Sequence, residues 1–155
     1  RLDVSVNILT NHAINKGKIT VFGGEQMRPN LHIQDYCDAC KLLMTAPDEK
    51  VANERFNVGF QNMSIIDIAK TVQQVVAEIY PDKGEIPIEV TESKDKRSYH
   101  INSDKIKKQL GFKPRFTVED AVRDLCKAFE EGKLPNSFDD DKYYNIRTMK
   151  AIGAK

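Results

Sequence analysis

Two arginines have sequence neighbours that suit the binding of an anionic ligand. Arg28 follows a glycine pair and a polar stretch, and Pro29 directly after it keeps Arg28 out of helical geometry. Arg97 lies in a second polar stretch, residues 95–99. A guanidinium stays charged and its rigid fork of donors matches two phosphate oxygens, so two of them converging from separate loops would suit a diphosphate. The alternative is an exposed ion pair at each arginine, which contributes about 0–1 kcal/mol, and spacing alone favours that alternative.

The cysteines and histidines are weaker candidates for chemistry. Cys37 and Cys40 form a C-x-x-C motif, which in redox proteins needs its first thiol at a helix N-terminus, where the thiol pKa is lowered. Both cysteines instead continue the apolar stripe of a predicted helix, which favours buried small residues. His12, His32 and His100 are scattered along the chain, and the position of His32 at the foot of that helix favours a hydrogen-bonded structural role.

Composition and missing motifs exclude several classes of protein. The 155 residues include 24 Lys and Arg against 23 Asp and Glu, a balance that argues against a dedicated nucleic-acid or membrane-surface protein. No apolar run approaches the roughly 18 residues of a membrane span. The sequence has no G-x-G-x-x-G turn, P-loop, zinc-ligand spacing or G-x-S-x-G elbow, so neither a metal site nor a catalytic centre is predicted. Three cysteines, an odd number, indicate reduced thiols and a cytoplasmic setting.

Helical and strand patterns alternate along the chain and predict an α/β fold, a small mixed domain of short strands and helices. The predicted elements, in chain order, are a helix ending at Gly17, a strand over 19–22, a helix from Ile33 to Met44, a strand over 55–59, a helix capped by Ser64, an edge strand over 86–90, and helices beginning at Asn102 and Thr117. Pro87 makes the last strand an edge strand because proline cannot donate to a ladder.

Several motifs, taken in order and with their spacing, resemble those of a known family. Residues 17–23 (GKITVFG), 28–35 (RPNLHIQD), 56–59 (FNVG), 105–114 (KIKKQLGFKP) and 117–123 (TVEDAVR) are similar to stretches of the extended short-chain dehydrogenase/reductases. These enzymes are the NAD-dependent sugar-nucleotide epimerases and dehydratases. The resemblance covers most of the chain, from Arg1 to about Gly132.

The resemblance implies that this chain is one part of such an enzyme. In the family, an N-terminal Rossmann domain holds NAD(P) and a catalytic Tyr-x-x-x-Lys, and a smaller α/β part closes over the nucleoside-diphosphate sugar. This sequence lacks that motif and the glycine-rich cofactor turn, and it begins at Arg1 without Met. We therefore expect a sugar-nucleotide-binding domain over 1–132 and a peripheral tail over 133–155. No cofactor is expected on this chain, and the expected partner is the missing Rossmann domain, in a homodimeric isomerase, lyase or oxidoreductase.

The resemblance also assigns substrate-binding roles to particular residues. Arg28 matches the arginine that grips the diphosphate. Arg97 matches a second phosphate ligand, with Lys94 and Lys96 as substitutes because the family's R-P-G-D/H pattern is missing here. The remaining assignments are Thr20 and Phe22 at the nucleobase pocket, Asn7 in the helix facing the nucleotide, and Asn57 in a polar contact or a structural role. No catalytic or metal-binding residue is implied.

Two other functions stay open at this stage. The chain could be a stand-alone interaction module whose pocket is unused and which performs no catalysis. It could also be a thiol redox protein built on Cys37 and Cys40, which would require a lowered thiol pKa. If a Rossmann domain does pack on this chain, the contacting face should carry exposed apolar surface.

Overall fold

The computed structural model describes residues 1–93 and 97–154. Over these residues the chain forms a mixed α/β arrangement of short strands and helices, which confirms the predicted fold class. The helices are α1 (Ser5–Lys16), α2 (Ile33–Thr45), α3 (Asp48–Val51), α4 (Ile65–Ile79), α5 (Asp104–Leu110), α6 (Val118–Glu130) and α7 (Asn145–Ala151), and the strands are β1 (Ile19–Phe22), β2 (Met27–Asn30), β3 (Gln61–Ser64) and β4 (Ile88–Thr91). Lys94 and Lys96, the alternative phosphate ligands, lie outside the described residues.

The main hydrophobic core lies between α1, α4, α6 and β1. The apolar stripe of α4 is fully buried and comprises Ile68, Ala69, Val72, Val75 and Val76. α6 contributes Val122 and Cys126 to the same core, and β1 contributes Ile19 and Val21. Complete burial of one such aliphatic side chain stabilises a fold by about 1.5–3 kcal/mol, so these elements account for most of the hydrophobic stabilisation.

Side-chain caps begin α4 and α6, as the sequence predicts. The Ser64 hydroxyl oxygen accepts the Asp67 N–H at 3.1 Å, and Thr117 and Asp120 form a complete capping box. In that box the Asp120 carboxylate accepts the Thr117 N–H at 2.8 Å, which lowers the pKa of Asp120 below its ordinary value. The caps satisfy backbone donors that have no partner in the first turn of a helix.

The strands form two separate two-stranded sheets in the described part of the chain. β1 pairs with β4 in parallel, which places Phe22 beside Thr91. β2 pairs with β3 in antiparallel, which places Pro29 beside Asn62. The sequence predicts a polar loop around Arg28, and this prediction is wrong. The segment is a strand because β3 offers it a hydrogen-bonding neighbour that no local pattern reveals.

The predicted strand over residues 55–59 is also wrong. These residues run extended, and within the described ranges no strand ladder forms along them. The strand begins two residues later, at Gln61, where β2 lies alongside. A segment of β-forming residues becomes a strand only when another strand pairs with its backbone, and among residues 1–93 and 97–154 no strand pairs with residues 55–59.

A second, smaller core joins α2 to α5. Ala39 of α2 belongs to one buried cluster with Ile106 and Phe112. Gly111 ends α5 at φ 71°, a conformation that glycine adopts without a steric penalty, and Phe112 then packs back on the helix. Ser103 rather than the predicted Asn102 is the N-cap residue of α5, while the Asn102 side chain accepts the Asp104 N–H at 2.7 Å.

The apolar stripe of α2 faces away from both cores. Ile33 is 69% exposed and Met44 is 86% exposed, and Tyr36 and Cys37 are exposed as well. The interpretation of Cys37 as a buried small residue is therefore wrong, whereas Cys40 is half-buried. The reason is that α2 packs through its opposite side, on which Asp35 and Ala39 are buried.

Residues 133–154 return to the beginning of the chain. The Leu2 N–H donates to the Tyr143 carbonyl at 2.7 Å, and the Ser137 hydroxyl donates to the Asn11 side-chain oxygen at 2.8 Å. Tyr143 and Ser137 are each 7% exposed. The segment thus makes specific contacts with the start of the chain and with α1, and the predicted division at residue 132 stays a prediction.

Candidate functional site

A cavity of about 670 Å³ opens between the start of α1, β2 with the turn that follows it, and the start of α6. Its polar side chains include Asp3, Ser5, Asn7, Arg28, Asn30, His32, Gln61, Tyr99, Thr117 and Asp124. They are interspersed with apolar residues such as Val4, Leu31, Phe116 and Leu125. A concave surface of this size with a few polar groups among apolar ones is typical of a small-ligand site.

Arg28 is held in the cavity wall by contacts on both its own strand and a distant segment. Its Nη1 donates to the Met27 carbonyl at 2.9 Å and to the Arg97 carbonyl at 2.6 Å. The guanidinium carbon lies 5.0 Å from the centre of the Tyr99 ring, a cation–π arrangement. Contacts of this kind fix the plane of the guanidinium, and a fixed guanidinium plane is suited to bidentate recognition of a phosphate.

His32 and Asp124 form a second polar pair in the same wall. The Nδ1 atom of His32 accepts the Gln34 N–H at 3.2 Å and so caps α2, which in the neutral ring leaves the proton on Nε2. Nε2 lies 3.3 Å from the Asp124 carboxylate, whose side chain is 73% exposed. The His32 ring also packs on Phe116, with centroids 4.9 Å apart. His32 is therefore hydrogen-bonded as predicted, and the exposed Asp124 carboxylate adds an acceptor to the cavity.

Asp35 holds a segment that continues into the cavity wall but does not itself line the cavity, and the sequence does not predict this role. Its carboxylate is 1% exposed and accepts the backbone N–H groups of Arg115 at 3.0 Å and of Phe116 at 2.9 Å. Phe116 and Thr117 then continue into the cavity wall. An aspartate in the first turn of a helix ordinarily suggests a local cap, so only the fold reveals that this one binds a segment 80 residues away.

The structure brings together only some of the predicted substrate-binding residues. Arg28 and Asn7 line the cavity, and the Asn7 amide also donates to the Arg1 carbonyl at 2.7 Å. Arg97 adjoins Arg28 through its backbone carbonyl. The other assigned residues do not line this cavity: Thr20 and Phe22 lie on β1, and Asn57 lies exposed in the extended segment 55–59. The binding roles of all six remain predictions.

The thiols differ sharply in environment. Cys37 is exposed, whereas Cys126 is buried in the main core, and burial raises the pKa of the Cys126 thiol to about 11. Among residues 1–93 and 97–154, no group of three or more His, Cys, Asp or Glu is placed to hold a metal ion. No helix in the same ranges combines the length and apolarity needed to cross a bilayer.

Comparison with protein families identifies the class of this fold. Residues 4–125 match the family model described as GDP-mannose 4,6 dehydratase, a range of well over half of the chain. The chain belongs to this family. The match places it among the extended short-chain dehydrogenase/reductases that act as sugar-nucleotide epimerases and dehydratases, as the sequence motifs predict.

Curated relatives of this dehydratase family cover the same region. The dTDP-glucose 4,6-dehydratase of Shigella flexneri is 31% identical over 118 residues, which are 72% of this chain and 32% of that protein. An Escherichia coli enzyme of the same name gives the same identity and coverage. The chain thus spans about a third of the length of the curated relatives that it matches.

Solved structures of the epimerase and dehydratase family share the fold. The dTDP-glucose 4,6-dehydratase of Bacillus anthracis, in complex with NAD, has a TM-score of 0.66 at 18% identity and covers 94% of this chain and 42% of its own. The UDP-glucose 4-epimerase of Thermotoga maritima, with UDP-glucose, has a TM-score of 0.67 at 21% identity and covers 84% of this chain and 40% of its own. The chain corresponds to about two-fifths of each.

The family match includes nearly all of the cavity wall. Arg28, His32 and Asp124 all fall within residues 4–125, whereas residues 126–155 lie beyond the matched range. The contacts of the returning segment with Leu2 and Asn11 are therefore features of this chain that the family match does not describe.

Proposed function

We propose that this chain is the nucleotide-sugar-binding portion of an NAD-dependent sugar-nucleotide epimerase or dehydratase. The observation that carries the proposal is the Arg28 guanidinium, fixed in the wall of a 670 Å³ cavity by the Arg97 carbonyl and the Tyr99 ring. In this proposal Arg28 binds the diphosphate and Arg97, on the neighbouring segment, contributes a second positive charge. The two negative charges of a diphosphate lose their hydration when the ligand binds, and the two arginine cations would offset that loss.

Other residues of the cavity would then orient the sugar. The exposed carboxylate of Asp124 and the side chain of Asn7 offer acceptors and donors for hydroxyl groups. The nucleobase would lie along β1, where Phe22 is 61% exposed and provides an aromatic surface for stacking. Residues 23–26 separate Phe22 from β2, and the proposal requires a nucleotide to contact Phe22 with its base and Arg28 with its phosphates.

The hydride chemistry belongs, in this proposal, to a Rossmann domain that packs on α2. The residues of this chain do not fit NAD, because its sequence has neither a glycine-rich turn leading into a helix nor a Tyr-x-x-x-Lys motif. The exposed Ile33, Tyr36 and Met44 form an apolar surface that such a domain would cover. Residues 55–59 lie extended, have no strand neighbour in the described part of the chain, and would join its sheet. The intact enzyme would be a homodimer.

Calorimetric titration with nucleoside diphosphates tests the binding role. We expect the chain to bind at least one of UDP, dTDP and GDP, and Arg28→Ala to weaken that binding by roughly tenfold or more, since charge-assisted hydrogen bonds are worth about 1.5–3 kcal/mol. Arg123→Ala is the matched control, because it removes an arginine whose ion pair with Glu78 lies outside the cavity. We expect the control to bind within about twofold of the wild type.

A folded wild-type chain that binds none of the three nucleotides would overturn this proposal. That result would favour the second candidate, an interaction module whose functional surface is the exposed face of α2. Equal weakening by Arg28→Ala and by the Arg123→Ala control would instead remove Arg28 from the site.

A further inference from the structure

The segment that carries Arg97 and Tyr99 is attached along the side of the β2–β3 sheet. We call residues 97–103 the strap. The strap contacts β2 through the Ser98 hydroxyl oxygen, which accepts the Met27 N–H at 3.0 Å, and through the Tyr99 N–H, which donates to the Met27 carbonyl at 3.4 Å. At its far end the Ser103 hydroxyl oxygen accepts the Gly59 N–H at 2.9 Å. The strap is thus bound at one end to β2 and at the other end to the extended segment 55–59.

One side chain of β3 holds the middle of the strap. The Asn62 amide nitrogen donates to the Ile101 carbonyl at 3.0 Å, and the Asn62 side-chain oxygen accepts the Ile101 N–H at 3.0 Å. A primary amide places an N–H donor and a carbonyl acceptor side by side in one plane, as a neighbouring strand would, so Asn62 satisfies both backbone groups of one residue. Within the described residues no backbone–backbone hydrogen bond reaches Ile101, and its polar attachment to β3 is this two-point contact.

The absence of a Cβ atom at Gly59 leaves space for the Ile101 side chain of the strap. A Cβ atom placed on Gly59 would stand 2.6 Å from the Cδ1 atom of Ile101, nearer than atoms of two side chains can pack. The Ile101 side chain therefore occupies the space that any other residue at 59 would fill. The polar contact of Asn62 and the close approach at Gly59 act on the same residue of the strap.

The strap in turn fixes the guanidinium of Arg28. The Arg97 carbonyl accepts from Arg28 Nη1 at 2.6 Å, and the Tyr99 ring centre lies 5.0 Å from the guanidinium carbon. Both groups belong to the strap: Arg97 lies four residues before Ile101, and Tyr99 lies two residues before it. Release of Ile101 from β3 would therefore loosen two of the contacts that hold the Arg28 guanidinium.

We propose that Asn62 is a positioning residue for the anion site: its amide holds Ile101, and through the strap it holds Arg28 in the cavity wall. This inference rests on the proposed function of Arg28. Asn62 does not line the cavity and is itself exposed, so its removal should leave the hydrophobic core intact.

A double-mutant cycle separates positioning from a general structural effect. Asn62→Ala, Arg28→Ala and the double variant are titrated with pyrophosphate and with UDP, dTDP and GDP. We expect Asn62→Ala to weaken binding by roughly fivefold to tenfold in the wild-type background and by less than about twofold when Arg28 is already alanine. The control is Gln74→Ala, which removes an exposed amide on α4 that donates to the Glu78 carboxylate at 3.0 Å, and it should bind like the wild type. An equal loss in both backgrounds would overturn the inference.

Hydrogen exchange tests the strap without any ligand. In Asn62→Ala the Ile101 amide should exchange at least about fivefold faster, while the amides of Val72 and Val75 in the core keep their protection. If the protection of the Ile101 amide is unchanged in Asn62→Ala, then Asn62 does not hold the strap, and the inference is overturned whatever the binding titrations show. If Ile101 is released as expected and yet the wild type binds no nucleotide or pyrophosphate, the proposed function fails and the role assigned to Asn62 fails with it. If the wild type binds and only Asn62→Ala is without effect, the proposed function stands and this inference alone is wrong.

Discussion

The helices α4 and α2 carry similar apolar stripes but have opposite surroundings. The stripe of α4 is at most 1% exposed because α1, α6 and β1 cover it. The stripe of α2 includes Ile33 and Met44, which are 69% and 86% exposed, while the buried side of α2 contains the carboxylate of Asp35. Helical periodicity therefore identifies which residues share a face, but burial depends on whether another element covers that face.

The largest expected difference between the two helices is in the free energy of unfolding. Ile68→Ala removes a fully buried side chain of α4 and should cost about 2–5 kcal/mol, because the cavity that remains cannot close completely. Ile33→Ala on α2 makes the same chemical change at an exposed position and should alter the free energy of unfolding by no more than about 0.5 kcal/mol. Denaturant unfolding of both variants measures the contrast. A cost above about 2 kcal/mol for Ile33→Ala would show that the stripe of α2 is covered in solution.

The thiols of the two regions should differ in reactivity with an alkylating reagent. Burial raises the pKa of the Cys126 thiol from an ordinary 9.0 to about 11, which lowers its thiolate fraction at pH 8 by roughly a hundredfold. Cys37 on the stripe of α2 is exposed. We expect mass spectrometry to find Cys37 labelled first and Cys126 labelled only after unfolding. Early labelling of Cys126 would contradict the burial of this part of α6.

The raised pKa of Cys126 also has a consequence for stability. The folded state keeps the thiol proton at a pH where the unfolded state has lost it, so the contribution of Cys126 is complete below about pH 9. It is lost as the pH rises from 9 towards 11. Cys126→Ala should remove this alkaline loss from the unfolding curve, while Cys37→Ala should leave it unchanged.

A smaller effect is expected at the capping box of α6. Thr117→Ala removes the hydroxyl that caps the helix and should lower the free energy of unfolding by about 1 kcal/mol at neutral pH. Asp120→Asn tests the other half of the box. The folded pKa of Asp120 lies below its ordinary 3.8, so its contribution is complete above pH 3.8 and is lost as the pH falls through the folded value. A difference between Asp120→Asn and the wild type that persists unchanged well below pH 3.8 would contradict this assignment.

The sequence predicts most helices of this fold and the central residue of the site. The caps at Ser64 and Thr117 mark the starts of α4 and α6, since side-chain caps act within one turn of the chain. Arg28 stands beside a proline after a glycine pair, and the structure places it in the cavity. The strands are less predictable because each depends on a partner distant in the chain. β2 forms where a loop is expected, and residues 55–59 do not form the expected strand.

Local chemistry thus decides where this chain forms helices, which side chains share a face, and which arginine has a neighbourhood suited to phosphate. The tertiary structure decides that Asp35 accepts the backbone of residues 115 and 116, that Asn62 holds Ile101, and that the Arg97 carbonyl reaches Arg28. Caps and helical stripes depend on residues only a few positions apart, whereas these contacts join residues 39 to 81 positions apart. Their partners are brought together only when the elements pack, so no local pattern in the sequence contains them.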